Sequence, residues 1–330
     1  MTQRLLRTIH LLATLLILNC MTTVSGQDYA KDRVQPYHEN PRYWQYKGEP
    51  VLFIGASDED NPFQWPREKL LEQLEMMVAA GGNQIRNTMS DRDPDNLRAF
   101  AEIEPGKYDL SQWNPAYWER FETMLKETNK RGILVQIEVW DRFDHSRAQW
   151  ETDPYNPGNN VNYTYEESGF LPEYPQHPSS NKQPFFFTVP ALEDNALVRG
   201  YQEAFVRKVL EHTLRYDNVI YCIDNETSGA EEWGVYWAEF IRRIADGADR
   251  EVELTEMWDE WRVWHPIHWR TIRHPERYDF VDLSQNNQIK GRDHWDNSRP
   301  AYLMIADDPR PISITKIYGS DIHAAKYEEG

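Results

Sequence analysis

The chain has 330 residues, of which 40% are hydrophobic, so it is long enough for one large barrel or for two ordinary domains. Its 36 Lys and Arg against 54 Asp and Glu give a formal net charge of −18, which excludes nucleic acid as the main partner because phosphate binding needs a basic surface. The 13 Trp and 18 Tyr are many for this length, and sugar-binding surfaces use such rings because the C–H face of a sugar packs on them.

The N-terminus has the pattern of an export signal. Two basic residues precede an apolar run over residues 9–18, which is too short to span a bilayer, and small residues follow it. We therefore predict a signal peptide over residues 1–26 and a secreted or periplasmic domain over residues 27–330, with no other membrane contact. Cys20 offers a lipoprotein alternative, which the Asn before it disfavours.

Short apolar runs alternate with amphipathic segments along the rest of the chain. The predicted strands lie near residues 51–54, 83–89, 133–140, 219–223, 252–257, 280–283 and 312–317. Strands that alternate with helices form parallel sheets with right-handed crossovers. Seven such units predict an α/β fold of the (β/α)8 TIM barrel type, and the lack of a Gly-rich phosphate loop after the first strand disfavours a Rossmann fold. Because an eighth unit is missing, we expect a truncated chain.

Residues 142–195 interrupt this pattern with a long insertion that is rich in Pro, Asn and aromatic residues. Loops of this length are usually functional or disordered. We predict that the insertion folds over the barrel mouth and that its rings line a sugar cleft. The alternative is that the rings only attach the insertion to the barrel.

Polar and aromatic side chains follow the predicted strands where each strand ends. The predicted catalytic acids are Glu226, Glu138 and Glu256, and the predicted substrate-binding residues are Arg86, Asn87, Trp140, Asp141, Asn225, Trp258, Asn286 and Lys316. Active sites of barrels lie at the carboxyl ends of the strands, so these side chains are expected to converge. Structural alternatives are an ion pair between Arg86 and Glu138 and core positions for Trp140 and Trp258.

Several of these motifs resemble those of a known group of enzymes. Residues 82–86 (Gly-Asn-Gln-Ile-Arg) and 224–226 (Asp-Asn-Glu) look like the second-strand and fourth-strand motifs of clan A glycoside hydrolases. Longer blocks at 114–120, 135–144 and 221–229 are similar to secreted bacterial proteins described as candidate glycoside hydrolases. The resemblance implies a retaining enzyme that acts on a poly- or oligosaccharide, with Glu226 as the acid/base.

One position departs from the clan pattern. The resemblance implies a nucleophilic Glu at the end of the seventh strand, where this chain has Lys316. Either the strand is misassigned, or Glu256 or Glu138 serves instead, or the protein is a pseudo-enzyme that binds carbohydrate without cleaving it. If the strand is correct, we expect Lys316 to pair with Glu138 or Glu256 and to leave Glu226 free for the ligand.

The sequence predicts neither a metal nor a cofactor. The ten His residues show no ligand spacing, and His265 with His268 forms an i, i+3 pair that lacks a third partner. A barrel hydrolase that depends on a metal is therefore the weakest of the alternatives.

Overall fold

The computed structural model describes residues 26–55, 59–289 and 291–316. The strands are β1 (Gln35–Pro36), β2 (Trp44–Tyr46), β3 (Glu49–Val51), β4 (Gln84–Thr88), β5 (Phe100–Glu104), β6 (Lys107–Trp113), β7 (Leu134–Asp141), β8 (Val219–Asn225), β9 (Leu254–Thr255), β10 (Val281–Asp282) and β11 (Ile312–Ser313). The α-helices are α1 (Gly26–Asp32), α2 (Arg67–Ala79), α3 (Pro115–Arg131), α4 (Arg147–Thr152), α5 (Tyr165–Ser168), α6 (Ala196–Thr213), α7 (Glu231–Gly247), α8 (Trp269–Ile272) and α9 (Gly291–Met304).

Six parallel strands follow one another in space in the order in which they occur in the chain. Strands β4, β7, β8 and β9 form one sheet, and β10 pairs with β11. The backbone N–H of Asp279 donates to the carbonyl of Leu254 over 2.9 Å, which joins the two sheets. Every residue of β7 and β8 is buried, as expected for central strands that have helices on one side and other strands' side chains on the other.

Two local features differ from the sequence-based expectation. Val51, the first residue of the first predicted strand, belongs to a small antiparallel sheet with β1 and β2 instead of the parallel one. The chain then runs beside β4, where a Cβ at Gly55 would lie 1.7 Å from the carbonyl oxygen of Gln84, so only glycine fits this approach. Strands β5 and β6 form a hairpin that the alternating pattern did not predict.

The helices between the strands begin and end where the local sequence dictates. The side chain of Asn114 accepts a hydrogen bond from the backbone N–H of Ala116 over 3.1 Å, and Pro115 takes the first helical position of α3. Gly132 ends that helix with φ = 68°, a left-handed conformation that glycine adopts without strain. Strand β7 begins two residues later, so the helix is joined directly to the strand that carries Glu138.

The insertion at residues 142–195 lies at the carboxyl end of β8. Its Asn181 donates to the backbone carbonyl of Ser228 over 2.9 Å, two residues beyond Glu226. Most of its rings are buried: Trp150, Tyr155, Tyr163, Tyr174, Phe185 and Phe186. Phe185 packs edge-on against Trp140, with ring centroids 5.5 Å apart. The prediction that these rings line the cleft is therefore wrong, because they attach the insertion to the barrel.

Some predictions concern the two ends of the chain, which lie outside the described residues. The signal peptide, apart from Gly26, and Cys20 lie outside the described residues, as do residues 317–330. Among the helices of the described residues, none has the length and apolar character needed to cross a membrane.

Candidate active site

Glu226 is held in a special conformation directly after β8. Its φ of 54° lies in the left-handed region, which costs energy for a residue with a side chain and is found preferentially at functional sites. The next residue, Thr227, fixes the turn by donating its backbone N–H to the carbonyl of Met257 over 2.8 Å. The Glu226 side chain is 19% exposed, so a ligand can reach it.

Lys316 forms an ion pair with Glu226 through its Nζ atom and the Oε1 atom of the carboxylate. The Lys316 side chain is only 1% exposed, so the ammonium lies beneath the carboxylate. The prediction that Lys316 pairs with Glu138 or Glu256 and leaves Glu226 free is therefore wrong. Burial alone would raise the pKa of Glu226, but the ammonium outweighs burial and holds that pKa below its usual value.

Glu138 is bound on both oxygens by Arg86. The Nε atom of Arg86 donates to Oε1 over 3.0 Å and Nη2 donates to Oε2 over 2.7 Å, and the Glu138 side chain is fully buried. Burial raises the pKa of Glu138, and Arg86 and Lys316 lower it in part. This bidentate pair is the structural alternative that the sequence left open, and it leaves Glu138 no contact with solvent.

Asn225 and Asp141 belong to the same bonded network. The Nδ2 atom of Asn225 donates to Asp141 over 2.9 Å, and its Oδ1 atom accepts from Arg86 over 3.1 Å. Asp141 also forms an ion pair with Arg92. Burial raises the pKa of Asp141, but Arg92 and Asn225 outweigh it and hold the pKa below its usual value. Asn225 is thus positioned by its neighbours on both polar atoms.

Glu256 and Asp224 form a buried acidic pair below the cleft. The Oε1 atom of Glu256 accepts from the backbone N–H groups of Asp224, over 2.9 Å, and Met257, over 3.1 Å. Burial raises the pKa of Asp224 to about 7, although the nearby Arg142 acts in the opposite direction. Burial and the nearby Asp224 also raise the pKa of Glu256. At 1% exposure, Glu256 is not accessible to a substrate, against the sequence-based expectation.

Four predicted substrate-binding residues are also buried and bonded within the protein. Trp140 is 2% exposed and packs on Phe205, Trp233 and Trp237, while Trp258 is 1% exposed and donates from Nε1 to Thr271 over 2.8 Å. The Asn87 side chain accepts from the backbone of Phe63, and Asn286 donates to Ser298. Their predicted contact with substrate is corrected: these side chains support the strand ends from within the core.

Asp259 is a carboxylate at the cleft that the sequence analysis missed. It is half-buried, and the charges of Glu226 and Lys316 both act on it. Burial, followed by the charge of Glu226, raises the pKa of Asp259 above its usual value. Its place one residue beyond Trp258, at the end of the fifth predicted strand, was the available signal.

Comparisons with known proteins bear on the fold of the chain. A family model described as a domain of unknown function (DUF6298) matches residues 98–256. No curated protein matches the chain. A solved glycoside hydrolase family 5 mannosidase from Rhizomucor miehei is similar with a TM-score of 0.58 and 14% identity, over 86% of this chain and 72% of that one. An endo-1,4-beta-mannanase from the same fungus has a TM-score of 0.53 and 10% identity, over 85% and 80%.

The fold is a (β/α)8 barrel. In this barrel, β4, β7 and β8 are consecutive strands, and the carboxyl ends of β7 and β8 carry Glu138 and Glu226. Among the residues that the structure describes, no group of three or more His, Cys, Asp or Glu is arranged to hold a metal ion. The charged side chains described at the cleft are the carboxylates of Glu226 and Asp259, the ammonium of Lys316 and the guanidinium of Arg86.

Proposed function

We propose that the protein hydrolyses a glycosidic bond of a neutral poly- or oligosaccharide at Glu226. The observation that carries this proposal is the state of Glu226: it is partly exposed, in a left-handed conformation, and at a strand end of a barrel shared with glycoside hydrolases. Glycosidases use a pair of carboxyl groups that flank the bond to be cleaved. The net charge of −18 disfavours a polyanionic sugar.

The resemblance to clan A glycoside hydrolases suggests a retaining mechanism, which we include in the proposal. A retaining course requires one carboxylate that forms a glycosyl ester and one group that protonates the leaving oxygen. Lys316, whose ammonium is bound to Glu226, cannot form such an ester. The same ammonium works against a proton-donor role for Glu226, because it favours the carboxylate form. The stereochemistry of the first product, read by proton NMR of the anomeric centre, tests the retaining course.

The test of the function is hydrolysis by the purified protein of a panel of neutral polysaccharides, measured as reducing ends released. β-1,4-Mannan heads the panel because the two similar structures are a mannosidase and a mannanase. We expect Glu226→Gln to lower turnover by at least about a hundredfold. The matched control is Glu232→Gln, which changes an exposed acid in the first turn of α7 and should leave turnover unchanged. Equal activity of Glu226→Gln would overturn the role of Glu226.

A second candidate is carbohydrate binding without cleavage, and the specific observation in its favour is the ion pair between Lys316 and Glu226. A protein of this kind would bind mannohexaose in isothermal titration calorimetry and release no reducing ends from it. Its Glu226→Gln variant would change affinity only. Hydrolysis of any member of the panel by the wild type, lost in Glu226→Gln, would exclude this candidate.

A further inference from the structure

Asp259 and Glu226 are carried by backbone segments that are hydrogen-bonded to each other. Thr227, which follows Glu226, donates its N–H to the carbonyl of Met257, and its own carbonyl accepts the N–H of Asp259, both over 2.8 Å. Thr227 and Trp258 also form a parallel bridge. The two acids are therefore fixed on adjacent strand ends, and both are partly open to solvent.

We propose that Asp259 is the proton donor of the site and that Glu226 is the carboxylate that remains ionised. This assignment reverses the role that the clan resemblance gives to Glu226, and it rests on the proposed hydrolase function. It supplies the second carboxyl group that the chain lacks at the seventh strand, where Lys316 stands. Glu138 cannot supply it, because both of its oxygens are bound by Arg86 and its side chain is fully buried.

The surroundings of Glu226 favour its ionised form. The charged groups that act on it are Lys316, Asp141, Arg86 and Asp259. Lys316 is in direct contact and is buried, so solvent screens this interaction little. Burial opposes the ammonium, yet the pKa of Glu226 still falls below its usual value.

The surroundings of Asp259 favour its protonated form. The charged groups that act on it are Glu226, Lys316, His177, Glu260 and Arg142. Burial and the negative charge of Glu226 raise its pKa more than Lys316 and His177 lower it. The two acids are thus shifted in opposite directions, and such a divergence within one site marks which group gives the proton and which stays an anion.

The reaction then proceeds in two balanced steps. In the first, a carboxylate oxygen of Glu226 bonds to the anomeric carbon, the glycosidic bond breaks with its electrons left on oxygen, and the proton of Asp259 moves to that oxygen. In the second, the Asp259 carboxylate takes a proton from water while the water oxygen bonds to the anomeric carbon. The ester bond breaks, and Glu226 returns as a carboxylate.

A titration that needs no substrate tests the assignment first. The side-chain carboxyl carbons are followed by ¹³C NMR from pH 3 to 8 in the wild type, and the two signals are assigned from their loss in Asp259→Asn and Glu226→Gln. We expect Asp259 to titrate above Glu226, the reverse of the order of free Asp and Glu. If Asp259 titrates below Glu226, the assignment is overturned, whether or not the protein hydrolyses any sugar.

Leaving-group dependence tests the assignment in the active enzyme. The probes are methyl β-D-mannoside, whose leaving group needs a proton, and 2,4-dinitrophenyl β-D-mannoside, whose leaving group does not. We expect Asp259→Asn to slow hydrolysis of the methyl glycoside at least about a hundredfold and that of the dinitrophenyl glycoside far less. Glu232→Gln is the matched control, since Glu232 is an exposed acid in the first turn of α7 and should not alter the ratio. An equal effect of Asp259→Asn on both probes would contradict the donor role.

Added azide distinguishes the two roles by the configuration of its product. With Glu226→Ala, azide should occupy the place of the missing carboxylate and give the α-mannosyl azide from the dinitrophenyl β-mannoside. With Asp259→Ala, azide should attack the ester on Glu226 and give the β-mannosyl azide. The opposite pattern would restore the clan roles and overturn the inference. A wild type that cleaves no sugar of any kind would instead refute the proposed function, and the NMR order would still decide the proton assignment.

Discussion

Glu138 and Glu226 end neighbouring strands of one barrel, yet their surroundings are opposite. Glu138 is fully buried and bound on both oxygens by a guanidinium, whereas Glu226 is partly exposed and bound on one oxygen by an ammonium. A planar guanidinium matches both carboxylate oxygens at once, while an ammonium acts as a point charge. Both oxygens of the first acid are therefore bound by its cation, whereas the second acid is bound to its cation through one oxygen and is partly exposed to solvent.

The comparison shows that a carboxylate at a strand end is not by itself evidence of catalysis. A buried acid in a barrel needs a cation or hydrogen-bond donors, because desolvation is costly. What separates the two acids is exposure together with the geometry of the cation. On this basis Glu138 has a structural role that can be measured as stability, and Glu226 has a role that can be measured as turnover.

The largest expected effect is on stability, at Glu138. Glu138→Gln removes the bidentate partner of Arg86 and leaves it only the longer ion pair with Asp60, at 3.9 Å. Breaking a buried ion pair by removing one partner costs about 3–5 kcal/mol. The free energy of unfolding, measured in urea, should fall by that amount. Glu119→Gln, at an exposed position of α3, is the control and should change it by less than about 0.5 kcal/mol. If Glu138→Gln lowers the free energy of unfolding by less than about 1 kcal/mol, Glu138 does not have the structural role that distinguishes it from Glu226.

The sequence predicted the barrel and its strand ends because both depend on local patterns. Apolar runs such as residues 219–223 alternate with amphipathic segments, and polar residues that follow such a run, here Glu226, are candidates for the mouth of the barrel. The sequence offered the Arg86–Glu138 pair only as an alternative and gave Lys316 the wrong partner, because residues so far apart in the chain meet only through the closure of the sheet. It also could not tell the buried Trp140 from a ligand-facing ring, since burial depends on the insertion that packs over it.

Asp224 is a third carboxylate near these two acids, and neither a guanidinium nor an ammonium of the described residues is bonded to it. Burial raises its pKa to about 7, so the folded protein holds this proton more tightly than the unfolded chain does. The stability that the proton supplies is complete below the unfolded pKa and is lost as the pH rises through 7. Asp224→Asn cannot lose a proton, so the free energy of unfolding of this variant should rise relative to that of the wild type between pH 5 and pH 8. Each pH unit below the folded pKa contributes roughly 1.4 kcal/mol, which amounts to about 2 kcal/mol or more in all.

The measurement for Asp224 is urea unfolding of wild type and variant at pH 5, 6.5 and 8. Asp246→Asn, an exposed site in the last turn of α7, serves as the control and should give the same difference from wild type at every pH. A pH-independent difference for Asp224→Asn would show that Asp224 is ionised in the folded protein, stabilised by Arg142. In that case it would resemble Glu138 instead of standing apart from both acids.

The smallest expected effect is at Lys316, the cation that is bound to Glu226. Lys316→Met removes the ammonium that lowers the pKa of Glu226, while a side chain of similar length keeps the buried space filled. The pKa of Glu226 should then rise, and the acid limb of the pH dependence of kcat/KM should move to higher pH. Because Lys316 also lowers the pKa of Asp259, the basic limb should move upward with it. Lys208→Met, on α6 and away from the cleft, is the control for the loss of one positive charge. An unmoved acid limb in Lys316→Met would mean that the ion pair does not set the protonation of Glu226, and the contrast with the guanidinium-bound Glu138 would then rest on exposure alone.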